Sequence, residues 1–195
     1  MFQVPLLTRV ASTKLDLTET QMSTSTDSAE PALRTRLVTW KEPVVDLAQI
    51  AAMSGFDYLQ HLLDSGRVPP IAALLDFRLV RIEPGRAVFS GTPSEFHYNP
   101  IGAVHGGFAA TLLDSALGCS VHTTLKPGFA YTTIELKVNY VRPLRMTTGL
   151  VTCEGQVIHV GSRIATAEAR LTDAAGKLYA HGSTTCLIFP IGDDR

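Results

Sequence analysis

Charge of one sign, cysteine and recognisable catalytic motifs are all in short supply in this 195-residue chain. Its 17 basic and 18 acidic side chains leave a formal net charge of −1. A protein that neutralises nucleic-acid phosphates needs a basic surface, so non-specific nucleic-acid binding loses its electrostatic basis. Cys119, Cys153 and Cys186 are odd in number and form no CxxC pair. That argues against a disulfide framework and a thiolate zinc site, and it fits a reducing compartment. Aromatics are 7% of the residues and scattered, which removes a stacking platform for bases. His61, His97, His105, His122, His159 and His181 show no HxH or HExxH spacing, so no metal is expected. Ser115 has no GxSxG elbow around it, and neither a GxGxxG nor a GxxxxGKS/T phosphate loop occurs.

What is present is an ordinary globular composition, 45% hydrophobic, at a length that suits one domain plus extra chain. Residues Ser12 to Pro31 are mostly Ser, Thr, Ala, Asp and Glu with no apolar period, and residues 1–45 are expected to form a flexible tail. The opening MFQVPLLTRVASTK lacks the basic head and continuous apolar run of a secretory leader, and Met22 offers an alternative start. Ile50, Met53, Tyr58, Leu59, Leu62 and Leu63 recur at helical steps, predicting a helix over roughly 46–65 within an extension reaching residue 70. Residues 75–82 and 86–92, separated by Pro84-Gly85, predict a hairpin.

Val104 to Val121 is apolar almost all round and predicts a helix buried on most sides. His105, two early glycines and Asp114 argue against a membrane span. Four strand-like runs follow, at about 131–142, 149–160, 162–172 and 177–188. In the first, Ile134, Leu136, Val138 and Tyr140 alternate with polar residues. In the third, Ala165, Ala167, Ala169 and Leu171 form a small-residue face against which a helix can lie close. The order predicts an α+β domain over 71–190, an antiparallel sheet wrapped around one central helix.

The chemistry concentrates at the start of that helix, in Asn99-Pro100-Ile101-Gly102-Ala103-Val104-His105-Gly106-Gly107. Paired glycines let a ligand approach the backbone, and first-turn N–H groups are unsatisfied donors at the positive end of the helix dipole. A carbonyl oxygen gaining charge can use them as an oxyanion hole; alternatively the pair serves close packing alone. Asp114 is the acid within the buried helix, and it must be paired, hydrogen-bonded or functional. Eight residues separate Gly106 from Asp114, a rise of about 12 Å. One carbonyl cannot touch both within one chain, so a shared substrate requires a two-fold dimer with composite sites.

The run Asn-x-x-Gly-x-x-His-Gly-Gly, with an acid seven residues beyond the second glycine, resembles the hotdog-fold acyl-CoA thioesterases, in particular their phenylacetyl-CoA-thioesterase-like, 4-hydroxybenzoyl-CoA-thioesterase-related branch. Glu135 to Pro143 and Gly176 to Gly182 agree, and the resemblance covers about 72–189. It implies hydrolysis of an acyl- or aryl-CoA to the free acid and coenzyme A, without cofactor. Asp114 would be nucleophile or general base, and the Gly106 N–H of the other subunit would polarise the thioester oxygen, with Gly107 beside it. Asn99 would position the loop or the water, and His105 would orient the loop near the thioester. Thr133 matches an assisting hydroxyl on the next strand, whereas strand parity puts Thr132 on the inner side; the choice stays open. Arg142 and Arg163 are partners for the coenzyme A phosphates. Relatives often carry two basic residues where this chain has Ser162-Arg163.

The resemblance further implies a homodimer or a dimer of dimers. With the cysteine pattern it points to a cytoplasmic enzyme. The 46–65 helix is expected to cap one face or end of the site. Two other functions fit the same fold: a non-catalytic acyl-CoA-binding or regulatory protein, which could dispense with Asp114, and an enoyl-CoA hydratase or dehydratase, which would need a catalytic histidine such as His105.

Overall fold

The computed structural model describes residues 32–42 and 47–192. Most of the expected 1–45 tail therefore lies outside the described residues. The chain divides into two units, residues 1–36 and 37–195; in the first, residues 32–36 are without regular structure and exposed.

In the second unit the expected 46–65 helix is two helices, α1 (Leu47–Ala52) and α2 (Gly55–Asp64). Ser54 makes the break: its backbone is extended and its hydroxyl accepts the Asp57 N–H, starting α2 afresh. A third helix, α3 (Pro70–Leu75), was not anticipated from the sequence. Pro69-Pro70 reads as a stop, yet proline at the first helical position also starts a helix, because the N–H it lacks has no partner there.

The hairpin forms as β1 (Phe77–Glu83) and β2 (Arg86–Gly91). The central helix α4 spans Gly106–His122 and is followed by β3 (Phe129–Tyr140), β4 (Val151–Val160), β5 (Ile164–Asp173) and β6 (Leu178–Pro190). These make one six-stranded antiparallel sheet in the order β1-β2-β4-β5-β6-β3, wrapped around α4 as the hotdog fold requires. Burial of Leu112, Leu113, Ala116, Leu117 and Val121 against the sheet drives the wrap, each side chain contributing roughly 1.5–3 kcal/mol except the smaller alanine. The alanine face of β5 is buried as expected. Among the strand glycines the tightest approach to α4 is at Gly155 of β4, where a Cβ would lie 2.2 Å from the Ala116 carbonyl oxygen. No larger residue fits between strand and helix there. No helix among the described residues is long and apolar enough to cross a membrane.

Strand β3 forms one edge of the sheet and departs from simple alternation. Its pairing with β6 shifts between Thr133, opposite Cys186, and Glu135, opposite Thr185. Ile134 is the extra residue, 56% exposed rather than on the inner face with Leu136 and Val138.

Candidate active site

The loop between β2 and α4 is held by its own polar side chains. The Asn99 side-chain oxygen accepts the N–H groups of Ile101 (3.1 Å) and Ala103 (3.0 Å). Its backbone N–H donates to Ala103 O at 2.7 Å, and Gly102 supplies the positive φ of 74° that closes the turn. His97, absent from the sequence-based site, anchors the loop from below. Its Nδ1 accepts the Ser94 N–H at 3.0 Å, which places its proton on Nε2, 2.9 Å from Leu75 O. The ring stacks on Phe108 at 4.2 Å, and the His97 carbonyl accepts the His105 N–H at 2.7 Å.

His105 is the N-cap of α4, with Nδ1 accepting the Gly107 N–H at 2.9 Å. A neutral ring so placed carries its proton on Nε2, making His105 a donor rather than a base. Phe108 N–H is bonded to the His105 carbonyl at 3.0 Å. Of the first three N–H groups of α4, that of Gly106 alone has no partner among the described residues. It lies in a pocket of about 340 Å³ lined also by Asn99, His105, Tyr140 and Arg142. The Tyr140 hydroxyl donates to the Gly106 carbonyl at 3.2 Å, and its ring is 3.0 Å from where a Cβ at 106 would stand. Tyr140 is a second group that the sequence reading missed; its place on the inner side of β3 was the available signal. Arg142 also donates to Leu178 O at 2.6 Å.

Asp114 lies half-buried in the middle of α4, and Thr133 Oγ1 donates to its Oδ1 at 3.0 Å. The structure thus turns Thr133 toward the acid, and Thr132, exposed, away from it. Strand parity fails because the Ile134 bulge shifts the alternation between Thr133 and Leu136. Around Asp114 stand two thiols and a phenol. Burial first, with the nearby Asp114 charge adding to it, pushes Cys119 up to about 12. Burial likewise raises Cys186 and Tyr131, again with a contribution from Asp114. Both cysteines therefore stay protonated at neutral pH and offer no thiolate nucleophile.

Thr132 and Arg163 come together elsewhere, in a groove of about 620 Å³ with Ser162 and Phe189. Gly107 faces a shallow depression beside His97 and Phe108. Within one chain the expected residues therefore form three groups: Asn99, His105, Gly106 and Arg142 at the helix start with Gly107 on the adjoining side, Asp114 with Thr133 at its middle, and Thr132 with Arg163 apart from both. Among the described residues no three His, Cys, Asp or Glu side chains gather as a metal site.

Residues 101–180, which hold α4 and most of the sheet, match the model of the thioesterase superfamily. The chain is 31% identical over 108 residues to the human acyl-coenzyme A thioesterase 13, covering 55% of this chain and 76% of that one. It is 27% identical over 104 residues to the 1,4-dihydroxy-2-naphthoyl-CoA hydrolase of Listeria monocytogenes, covering 53% and 83% of the two chains. Among solved structures, a thioesterase family protein from Silicibacter pomeroyi superposes with a TM-score of 0.61 at 25% identity, over 68% of this chain and 98% of that one. With the hotdog architecture and the Gly106 and Asp114 segments inside the matched region, this chain belongs to the thioesterase superfamily.

Proposed function

We propose that the protein hydrolyses an acyl-CoA thioester to the free acid and coenzyme A, at sites built by two copies of the chain. The observation that carries this reading is the Gly106 N–H in the first turn of α4, without a partner among the described residues while its neighbours Gly107 and Phe108 are bonded. A thioester oxygen accepting that N–H is polarised, and the charge developing on it is stabilised where the helix dipole is positive. The acid comes from the partner's Asp114, since about 12 Å of helix separates the two groups in one chain.

Two balanced routes follow. In one, an Asp114 oxygen attacks the carbonyl carbon, and the C–S bond breaks with its electron pair leaving on the coenzyme A thiolate. Water then hydrolyses the mixed anhydride, its hydroxide part going to the acyl carbon and its proton to the thiolate. In the other, Asp114 takes a proton from water as the water oxygen attacks, and that proton passes to the departing sulfur. Either way Thr133 holds the Asp114 carboxylate through Oδ1, His105 and Asn99 hold the donor in place, and Arg142 meets a phosphate at the pocket mouth. Neither route needs a metal or cofactor.

The surface supports a two-fold partner. Strand β3 is an edge of 12 residues with unpaired backbone groups on its outer side. Ala110, Thr111, Asp114 and Ser115 on one side of α4 are only half-buried in a single chain. Small residues there suit helix-on-helix contact between copies.

Thiol release from a panel of acyl-CoAs tests the activity; enoyl-CoA hydration without thiol release would sink it. Mixed dimers test the composite site. Gly106→Pro removes the donor at a position where proline suits a helix and His105 is already extended, the proline Cβ pushing the exposed Tyr140 ring back by a few tenths of an ångström. Asp114→Asn removes the acid. Each variant alone is expected to be inactive, and the mixture to recover about a quarter of wild-type activity, because half the dimers then hold one intact site. No recovery in verified mixed dimers places both groups in one chain's site.

A further inference from the structure

The outward side of α4 continues past Asp114. Five residues further on, about 7.5 Å along the axis, Cys119 is half-buried and borders a second cavity of about 400 Å³. The other walls are Leu59, Leu62 and Leu63 of α2, Val68 ahead of α3, and Phe89 of β2, all outside the region matched by the superfamily model. Among the described residues, no acidic, hydroxyl or amide side chain lines this space, and its charged lining groups are Arg67 and Arg78, both exposed. The Cys119 thiol, held protonated by burial, is apolar in effect. With both guanidinium-bearing residues exposed to solvent, the rest of such a wall disfavours polar uncharged and cationic ligands and favours hydrocarbon.

Cys119 belongs to both places. It lines the cavity, and it lies close enough to Asp114 for that charge to act on its thiol. We propose that this cavity receives the acyl tail of the thioester, so that the substrate is a fatty acyl-CoA of medium or greater length and α2 and α3 set that preference. The assignment rests on the hydrolase reading above for the position of the carbonyl. From a carbonyl at Asp114, a chain must run roughly six carbons to cover the helical rise to Cys119. Acetyl, butyryl and single-ring aryl groups end before the cavity begins. Longer chains enter it, and each further pair of methylenes buried there raises kcat/KM by about tenfold.

The test is a chain-length series from acetyl- to hexadecanoyl-CoA, with benzoyl- and phenylacetyl-CoA alongside, on the full chain and on Leu62→Trp, which fills the cavity. The wild type is expected to climb steeply beyond hexanoyl, and the dodecanoyl-to-butyryl ratio of kcat/KM to fall at least about tenfold in the variant. Where Leu62→Trp loses a cooperative melt, Val68→Trp at the exposed wall replaces it. A flat series, preference for an aryl substrate, or an unchanged ratio in a folded variant overturns the proposal. Calorimetry with the thioether S-dodecyl-CoA reads the cavity without turnover. The tail should tighten binding over coenzyme A at least about tenfold, and the tryptophan should abolish that gain. Tail-dependent binding without thiol release from any acyl-CoA would defeat the hydrolase reading and leave the cavity assignment standing. Equal affinity for the two ligands would defeat the cavity alone.

Discussion

In the proposed hydrolase the first turn of α4 and its middle supply different kinds of reactive group. At the first turn the group is a backbone N–H, common to every residue but proline, and its surroundings make it distinctive. Asn99, His97 and His105 bind the loop and consume the neighbouring donors, so that one N–H is left over. At the middle the group is a side chain, Asp114, steadied by one hydrogen bond from Thr133 among protonated thiols. Side-chain substitution should therefore abolish function outright at the middle but only loosen it at the start. Losing the donor itself takes a backbone change.

Gly106→Pro and Asp114→Asn are the two ways to strike the reactive groups directly, and both should have the largest effects. The lost donor is expected to lower kcat by about a hundredfold to a thousandfold. Removing the acid should lower it by at least about a hundredfold, with dimerisation and coenzyme A binding retained. An active Asp114→Asn protein would make the acid structural. Thr133→Val removes a hydrogen bond to the acid and should cost about tenfold in kcat/KM. Thr132→Val should cost less than about twofold, and a reversed order of these two would contradict the side-chain directions seen on β3. Asn99→Ala frees two N–H groups in the supporting loop; a loss of about fivefold in kcat/KM and a lower Tm are expected.

The smallest effect on turnover belongs to the far end of α4. His122, flanked by the Tyr58 and Tyr131 rings, is held down by burial to about 4, against an ordinary 6.5. Between those values the unfolded chain takes up a proton that the folded chain refuses. Stability contributed by the neutral ring is therefore complete above pH 6.5 and falls with acidification by roughly 1.4 kcal/mol per pH unit down to about pH 4. Urea melts across this window should show a shallower slope in His122→Gln, whose kcat at pH 8 stays at the wild-type value.

Elements were legible in the sequence wherever one periodicity ran unbroken. The apolar run from 104 to 121 and the alanines of β5 pointed directly to a buried helix against a small-residue face. The Asp114 segment was legible because a carboxylate is costly to bury without a partner, and the Gly106 segment because paired glycines at a helix start leave unsatisfied N–H groups open to approach. What escaped notice were places where two signals compete. Ser54 sits within a helical apolar pattern yet caps a new helix, and Pro70 both stops and starts. His97 looked like any other histidine, because its role rests on contacts with Ser94, Leu75 and Phe108 that only folding assembles. The bulge at Ile134 has no glycine or proline to announce it.

That bulge matters beyond a miscounted face. Thr133 and Tyr140 are seven positions apart, an odd interval that in a regular strand points side chains to opposite sides. One meets Asp114 and the other meets Gly106, both inward. Ile134 acts as a phase shifter: the strand is read in one frame where it serves the acid and in the other where it serves the donor. Deleting that one residue would leave the composition almost untouched and let β3 attend to one end of the helix only.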